Sequence, residues 1–147
     1  MRFLALDYGE RAIGAAVSDE LGISAQGLAT IRRGPNEKKW AFMPQIADIV
    51  EKYAIKTIVL GYPLNKDYTV GRQAEKTLEF SNILKKTFPG AEIVLRDERF
   101  TSAIAGRVLL EADISRKRRG QVIDKIAAVI ILQDYLDEIY SKRGGKH

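Results

Sequence analysis

The chain has no cysteine in its 147 residues. That absence excludes thiol nucleophiles, zinc–thiolate sites, iron–sulfur clusters and disulfide frameworks together, and it suits a reducing compartment. Histidine is almost as scarce: the one histidine is His147, the last residue, and chain ends are usually poorly ordered. Ser-His-Asp triads, histidine general bases and His-rich metal sites are therefore set aside. Long hydrophobic runs are missing too. The longest, Ile126 to Leu132, is far too short to span a bilayer. Met1-Arg2 leads directly into Phe3-Leu4-Ala5-Leu6 and is interrupted by Asp7, which is not a secretory pattern. The expectation is a soluble cytoplasmic protein with no membrane partner. Its chemistry must run on carboxylates, lysines, arginines, hydroxyls or a bound metal.

What is present is an ordinary globular balance, 46% apolar and 29% charged, on a chain long enough to bury roughly 70% of its unfolded surface. No repeat, low-complexity tract or linker divides it. One domain over 1–147 is expected, with a disordered basic tail from about residue 141. The formal charge of +5 makes polyanions the first partner class to consider. The excess is concentrated in the uninterrupted run Arg116-Lys117-Arg118-Arg119 and in Lys142, Arg143 and Lys146.

Hydrophobic periodicity gives the element order. Phe3 to Leu6 and Ala12 to Val17 read as strands joined by a turn at Tyr8-Gly9-Glu10-Arg11, and Leu28 to Ile31 as a third strand. Phe42, Ile46, Ile49, Val50 and Tyr53 recur at helical spacing, with Pro44 marking either the start of that helix or a bend in it. Thr57 to Leu60 is a buried strand ending at Gly61-Tyr62-Pro63. A helix follows from Gly71 to Phe88, then a strand at Ile93 to Leu95. Thr101 or Ser102 is placed to cap a helix carrying Ile104, Val108 and Leu109. Gln121 to Tyr140 is the longest helix. Three strands in a meander followed by strand–helix alternation imply an α/β fold, a five-stranded mixed sheet flanked by helices.

Three carboxylates stand out by position. Asp7 ends the first strand, where open α/β sheets place ligands. Glu98 lies just past the fifth strand, and its neighbour Asp97 points to the opposite face if the strand continues. Asp124 sits near the start of the last helix among Ala127 and Ala128, small residues that let a helix approach a sheet. Three converging carboxylates repel unless a hard cation neutralises them, and all-oxygen donors suit Mg²⁺ or Mn²⁺. Each acid also has a plainer reading. Asp7 could begin a turn, Glu98 could pair with Arg96 or Arg99, and Asp124 could be a first-turn aspartate favoured by the helix dipole.

Gly9 and Gly14 are spaced like phosphate-loop glycines, but Ala15-Ala16 follows where lysine and a hydroxyl residue are required. Relief of crowding in a hairpin explains them better. The basic run is either a solvated loop or a polyphosphate surface. In the second case, binding to duplex should fall with salt at a log–log slope of about −4. Tyr62 and Tyr68, on a Gly/Pro/Asn loop, could stack on bases or be ordinary surface residues.

These residues fall into four ordered blocks. Leu4-Ala5-Leu6-Asp7-Tyr8-Gly9 with Arg11, Ile13-Gly14 and Ser18-Asp19 resembles the opening motif of the YqgF-type family. That family comprises Holliday-junction-resolvase-like proteins also described as pre-16S rRNA nucleases. Val59 to Asn65 resembles its second block, Asp97-Glu98-Arg99-Phe100-Thr101 its third, and Asp124-Lys125 with Ala127-Ala128 and Ile131-Leu132-Gln133 its fourth. The resemblance implies an RNase H-like fold, a cytoplasmic location, and a divalent-metal nuclease that matures the 5′ end of small-subunit ribosomal RNA. It places Asp7, Glu98 and Asp124 on the family's acidic site. One departure is plain: Asp67-Tyr68-Thr69 stands where the family commonly has Asp-Gly-Ser or Asp-Gly-Thr. Tyrosine adopts positive φ less freely than glycine, so a differently shaped loop is expected.

The expected chemistry is two-metal phosphodiester hydrolysis, with Asp7 bridging the ions and Glu98 and Asp124 each completing one coordination sphere. Arg11, Arg99 and Arg116, Lys117, Arg118 and Arg119 would hold phosphates of structured RNA or branched DNA. The chain is expected to act as a monomer or weak homodimer. Two other readings stay open: a nucleic-acid-binding protein without turnover, and an ATP-binding kinase or ATPase of the actin-like type. The latter ranks last, because such enzymes need two facing domains.

Overall fold

The structure, a computed structural model, describes residues 1–64, 67, 69–98 and 116–142, with side chains in the last segment from Lys125 onward. Six strands form one mixed sheet: β1 (Phe3–Asp7), β2 (Ala12–Ser18), β3 (Ala25–Gly27), β4 (Ile31–Arg32), β5 (Thr57–Tyr62) and β6 (Glu92–Asp97). The strand order is β3-β2-β1-β5-β6, with β4 paired to β2 beyond that path. β1 runs antiparallel to β2, with Asp7 opposite Gly14, and parallel to β5, with Leu6 beside Leu60. β6 continues the parallel set, with Tyr62 beside Asp97.

Both faces of the sheet are covered, which is why β1 and β5 are nearly continuous apolar runs rather than alternating ones. Helices α1 (Met43–Lys52) and α2 (Arg72–Thr87) lie on one face. There Phe42, Ile46, Phe80 and Leu84 pack on Leu4, Leu6, Ile13, Ile58 and Leu60. Helix α3 (Arg116–Lys142) covers the other face, where Ala128, Ile131, Leu132 and Leu136 meet Phe3, Ala5, Ala16 and Val59. Pro44 falls in the first turn of α1, where its missing N–H is no loss. It starts that helix and does not bend it.

Several boundaries differ from the sequence reading, each for an identifiable reason. In place of the expected third strand at 28–31 there are two short strands, one just before that segment and one starting at its last residue, Ile31, which raises the count among the described residues from five to six. Leu28 N–H still donates to Ala15 O at 2.9 Å, after which the chain leaves the ladder. β3 is also held from α3: Gln133 accepts from Ala25 N at 3.0 Å and donates to Ile23 O at 2.9 Å, a tertiary contact that periodicity cannot show. Gly61 lies inside β5 rather than ending it. β6 extends to Asp97 because Arg96 and Asp97 still pair with Gly61 and Tyr62 of β5; the Arg96 guanidinium donates to Glu138 on α3 and lies 5.9 Å from the Tyr135 ring centre.

The last helix begins by Arg116, not Gln121, so the basic run forms its opening turns and is not a loop. Lysine and arginine are good helix formers, so a charge run need not break a helix. The same helix continues to Lys142, through the point where a tail was expected. The expected helix after Thr101 lies outside the described residues. Among the described residues, no helix is long and apolar enough to cross a membrane.

Candidate active site

Asp7 is the last residue of β1, half-buried, and strand alternation puts it on the face of Phe3 and Ala5, under α3. The last β1–β5 pair is Leu6 with Leu60, and one residue on, the same register leads to Asp7 and Gly61. Glu98 follows β6, and its N–H donates to Tyr62 O at 3.1 Å, continuing the parallel ladder by one residue. Its carboxylate lies over Gly61: a Cβ built on Gly61 would stand 2.6 Å from Glu98 Cδ and 2.7 Å from Ile131 Cδ1. Ile131 belongs to the α3 layer, so Glu98 is on that side of the sheet. Asp97 is exposed and alternates to the other face. Among the described residues, the two acids brought to one face at one end of the sheet are therefore Asp7 and Glu98.

The backbone after Asp7 is tied down from below. The Tyr8 ring is buried and stacks on Phe80 with centres 4.5 Å apart, and burial pushes its phenol pKa up. Gln73 Nε2 donates to Tyr8 O at 3.1 Å. Lys76 donates to Glu10, whose pKa is held down by that bond and the ammonium charge. Arg33 Nε donates to Glu10 O at 2.5 Å. At Gly9 a Cβ would lie 2.7 Å from Ala12 O, so the hairpin crowding expected there is real. Arg11 is exposed on this turn, at the Asp7 end of the sheet.

Position 124 lies within α3, at least two helical turns from its start. The helix dipole acts within the first turn, so it does not account for an aspartate there. Four residues on, Ala128 is fully buried against the sheet. The side chains of Asp124, Arg116, Lys117, Arg118 and Arg119 lie outside the described residues, as do Arg99 and Tyr68. Tyr62 is a partly buried strand residue, not a loop residue. Among the described residues, no group of three or more acids or histidines stands ready to hold a metal.

Three positioning residues were missed by sequence reasoning. Gly61 carried the only usable signal, since a glycine inside a strand often marks a close approach. Gln73 and Gln133 act across 65 and 108 residues of sequence, and nothing local announces them.

Residues 1–138 match the family described as "RuvX: Holliday junction resolvase". A "Putative pre-16S rRNA nuclease" of Desulfitobacterium hafniense (strain DSM 10664 / DCB-2) is 50% identical over 144 residues, covering 98% of this chain and 97% of the relative. One with the same name in Clostridium tetani (strain Massachusetts / E88) is 46% identical over 142 residues, covering 97% and 100%. Among solved structures, the fowlpox virus resolvase with its Holliday junction DNA aligns at a TM-score of 0.60 with 11% identity, over 95% of this chain and 99% of that one. Thermus thermophilus RuvC with a Holliday junction substrate aligns at 0.57 with 14% identity, over 98% and 96%. At such identities these neighbours speak to the fold, which is the RNase H-like fold of the resolvases. With that sheet, two acids at one end of its strands and a family match spanning almost the whole sequence, the chain belongs to the RuvX family.

Proposed function

We propose that this protein is a divalent-metal-dependent nuclease that hydrolyses phosphodiester bonds in structured RNA, processing the 5′ end of 16S ribosomal RNA precursors. The observation carrying this reading is the convergence of Asp7 and Glu98 on one face, with Gly61 bare beneath the Glu98 carboxylate. The choice of RNA rests on relatives at 46–50% identity that bear the rRNA nuclease name. Four-way DNA is the second substrate to test, because the family description names it.

The donor set suits Mg²⁺ or Mn²⁺. Asp7 and Glu98 are hard oxygen donors at the ends of β1 and β6, the strands on either side of β5; they share a face, and like charges so placed favour a cation between them. Asp124, one helical turn before the buried Ala128, would supply the third carboxylate from α3. A bound divalent ion activates water as a nucleophile and stabilises charge on the leaving oxygen.

The chain's own contribution is placement. The Gly61 gap lets Glu98 lie flat on the sheet, and the buried Tyr8 ring with Gln73 fixes the backbone that carries Asp7. Arg11 and the basic opening turns of α3 would bind substrate phosphates and set the register of the strand without taking part in bond cleavage.

The test is cleavage of a labelled ribosomal RNA precursor and a four-way DNA junction side by side, with Mn²⁺, Mg²⁺ or EDTA. Asp7→Asn protein purified identically is the control. RNA cleavage that requires both metal and Asp7 supports the proposal, and preferential junction cutting would move the substrate to DNA. Salt-sensitive binding with no cleavage of either would leave a binding protein and refute the catalytic roles.

A further inference from the structure

The flank of the site opposite Glu98 carries an unassigned cation. Lys125 follows Asp124 on α3, turned about 100° from it around the helix, toward β3. Its stem lies across Gly27: a Cβ built there would stand 2.7 Å from Lys125 Cε and 3.0 Å from Cγ, with Val129 Cγ2 at 3.3 Å. Gly27 pairs with Ala16, and Ala16 with Ala5. One same-face step along β1 from Ala5 is Asp7. Across the α3 face of the sheet the sequence is therefore Lys125 over β3, Asp7 at the end of β1, and Glu98 over β5.

Charge compensation separates Lys125 from Lys76 and Lys39. Lys76 is bound to Glu10, and Lys39 to Glu79 at 2.7 Å. Lys125 is exposed and has no ion-pair partner among the described residues. A lysine whose stem is pinned while its ammonium stays solvated offers a positioned positive charge at low ordering cost. β3 stands two strands from β1, about 10 Å at ordinary strand spacing. Lys125 is thus displaced from the acids across the sheet, toward its β3 side.

We infer that Lys125 is a substrate-positioning residue that grips a backbone phosphate neighbouring the one at the Asp7–Glu98 face. The inference takes its polynucleotide from the nuclease reading, but its test does not depend on turnover. Lys125→Met keeps the apolar stem over Gly27 and removes the ammonium, Lys125→Arg keeps the charge, and Lys85→Met removes an exposed charge from the far end of α2. Binding to a fluorescein-labelled fragment spanning the 16S precursor 5′ end would be measured in EDTA from 50 to 300 mM KCl, with KM and kcat in Mn²⁺ alongside.

For Lys125→Met we expect affinity to fall about five-fold, with the log–log salt slope reduced by about one. KM should rise with kcat little changed, thermal stability should match wild type, and Lys125→Arg should restore binding. A Lys125→Met protein that binds and titrates with salt as Lys85→Met does would overturn the inference and leave the nuclease reading intact. A wild type that never cleaves, yet loses salt-dependent affinity on Lys125→Met, would refute that reading and keep the phosphate contact.

Discussion

The carboxylate of Glu98 occupies the space that a side chain on Gly61 would need. A Cβ there would stand 2.6 Å from Glu98 Oε2 as well as from its Cδ. Ile131 Cδ1 stands 2.7 Å from the same point, so both side-chain ends would have to shift. The absence of a side chain at position 61 is thus what allows an acid from β6 to reach over β5 toward Asp7.

Gly61→Ala should therefore damage the site more than the fold. Overpacking of this kind costs about 1–3 kcal/mol, measurable by urea denaturation. Displacement of a reacting group by about 1 Å can cost on the order of 100-fold in rate. We expect kcat for RNA cleavage to fall by about that factor, with substrate affinity in EDTA nearly unchanged. A variant that is destabilised yet cleaves at the wild-type rate would show that Glu98 need not lie over Gly61 for the reaction.

The pattern of residues that sequence could and could not reveal follows from the range of the forces involved. Asp7, Glu98 and the alternation that turns Asp97 away come from period-two geometry, so their placement was readable from β1 and β6 alone. The helix of the basic run was not: charge patterning says nothing about backbone state where propensity and solvation both permit a helix. The split third strand was hidden because Gln133 holds Ala25 from 108 residues away, and Gln26-Gly27 has no apolar signature. The Gly61 contact was half-visible: the glycine flagged a close approach but could not name Glu98 as the group approaching.

The Gln133 clamp offers a second test. Its side chain satisfies Ala25 N, Ile23 O and Asp137 Oδ1 together, at 3.0, 2.9 and 3.0 Å. Gln133→Leu preserves bulk and removes every one of these bonds. An unsatisfied neutral group costs about 1–3 kcal/mol when buried, and these are only partly covered, so a loss of about 1 kcal/mol is expected. Hydrogen exchange should quicken at Ala25 and Gln26 while the β1–β5 amides keep their protection. Unchanged exchange at Ala25 would show that β3 pairs with β2 without help from α3.

Acid should weaken the β2–β3 loop through Asp19. Its Oδ1 accepts from Ile23 N at 2.8 Å and its Oδ2 from the Ser24 hydroxyl at 3.2 Å. The Ile23 bond foremost, with those to Ser24, holds the Asp19 pKa below its ordinary value. A depressed folded-state pKa means that the unfolded chain takes up the proton first as pH falls. Its stabilisation is thus fully present above the ordinary aspartate value of about 4 and disappears as pH drops through the lower folded-state value. The stability difference between wild type and Asp19→Asn should hold steady from pH 7 to about 5 and shrink below pH 4. A difference that widens toward low pH would contradict the assigned bonds.

One residue is in the wrong conformation for its type, and correcting it should stabilise the protein. Helix α1 ends in a Schellman arrangement: Ile55 N donates to Val50 O at 2.9 Å and Ala54 N to Glu51 O at 3.2 Å. The motif requires a left-handed residue just past the helix, usually glycine. Here it is Ala54, at φ 52°. An L-residue with a Cβ pays about 1–2 kcal/mol in that region. Glycine removes that strain but has more freedom to lose on folding. Ala54→Gly should therefore raise stability by about 1 kcal/mol, or about 2–4 °C in Tm for a domain of this size. The site end of the sheet is remote from this turn, so cleavage kinetics should not change. A lower Tm would mean that Ala54 contributes packing that outweighs its backbone strain.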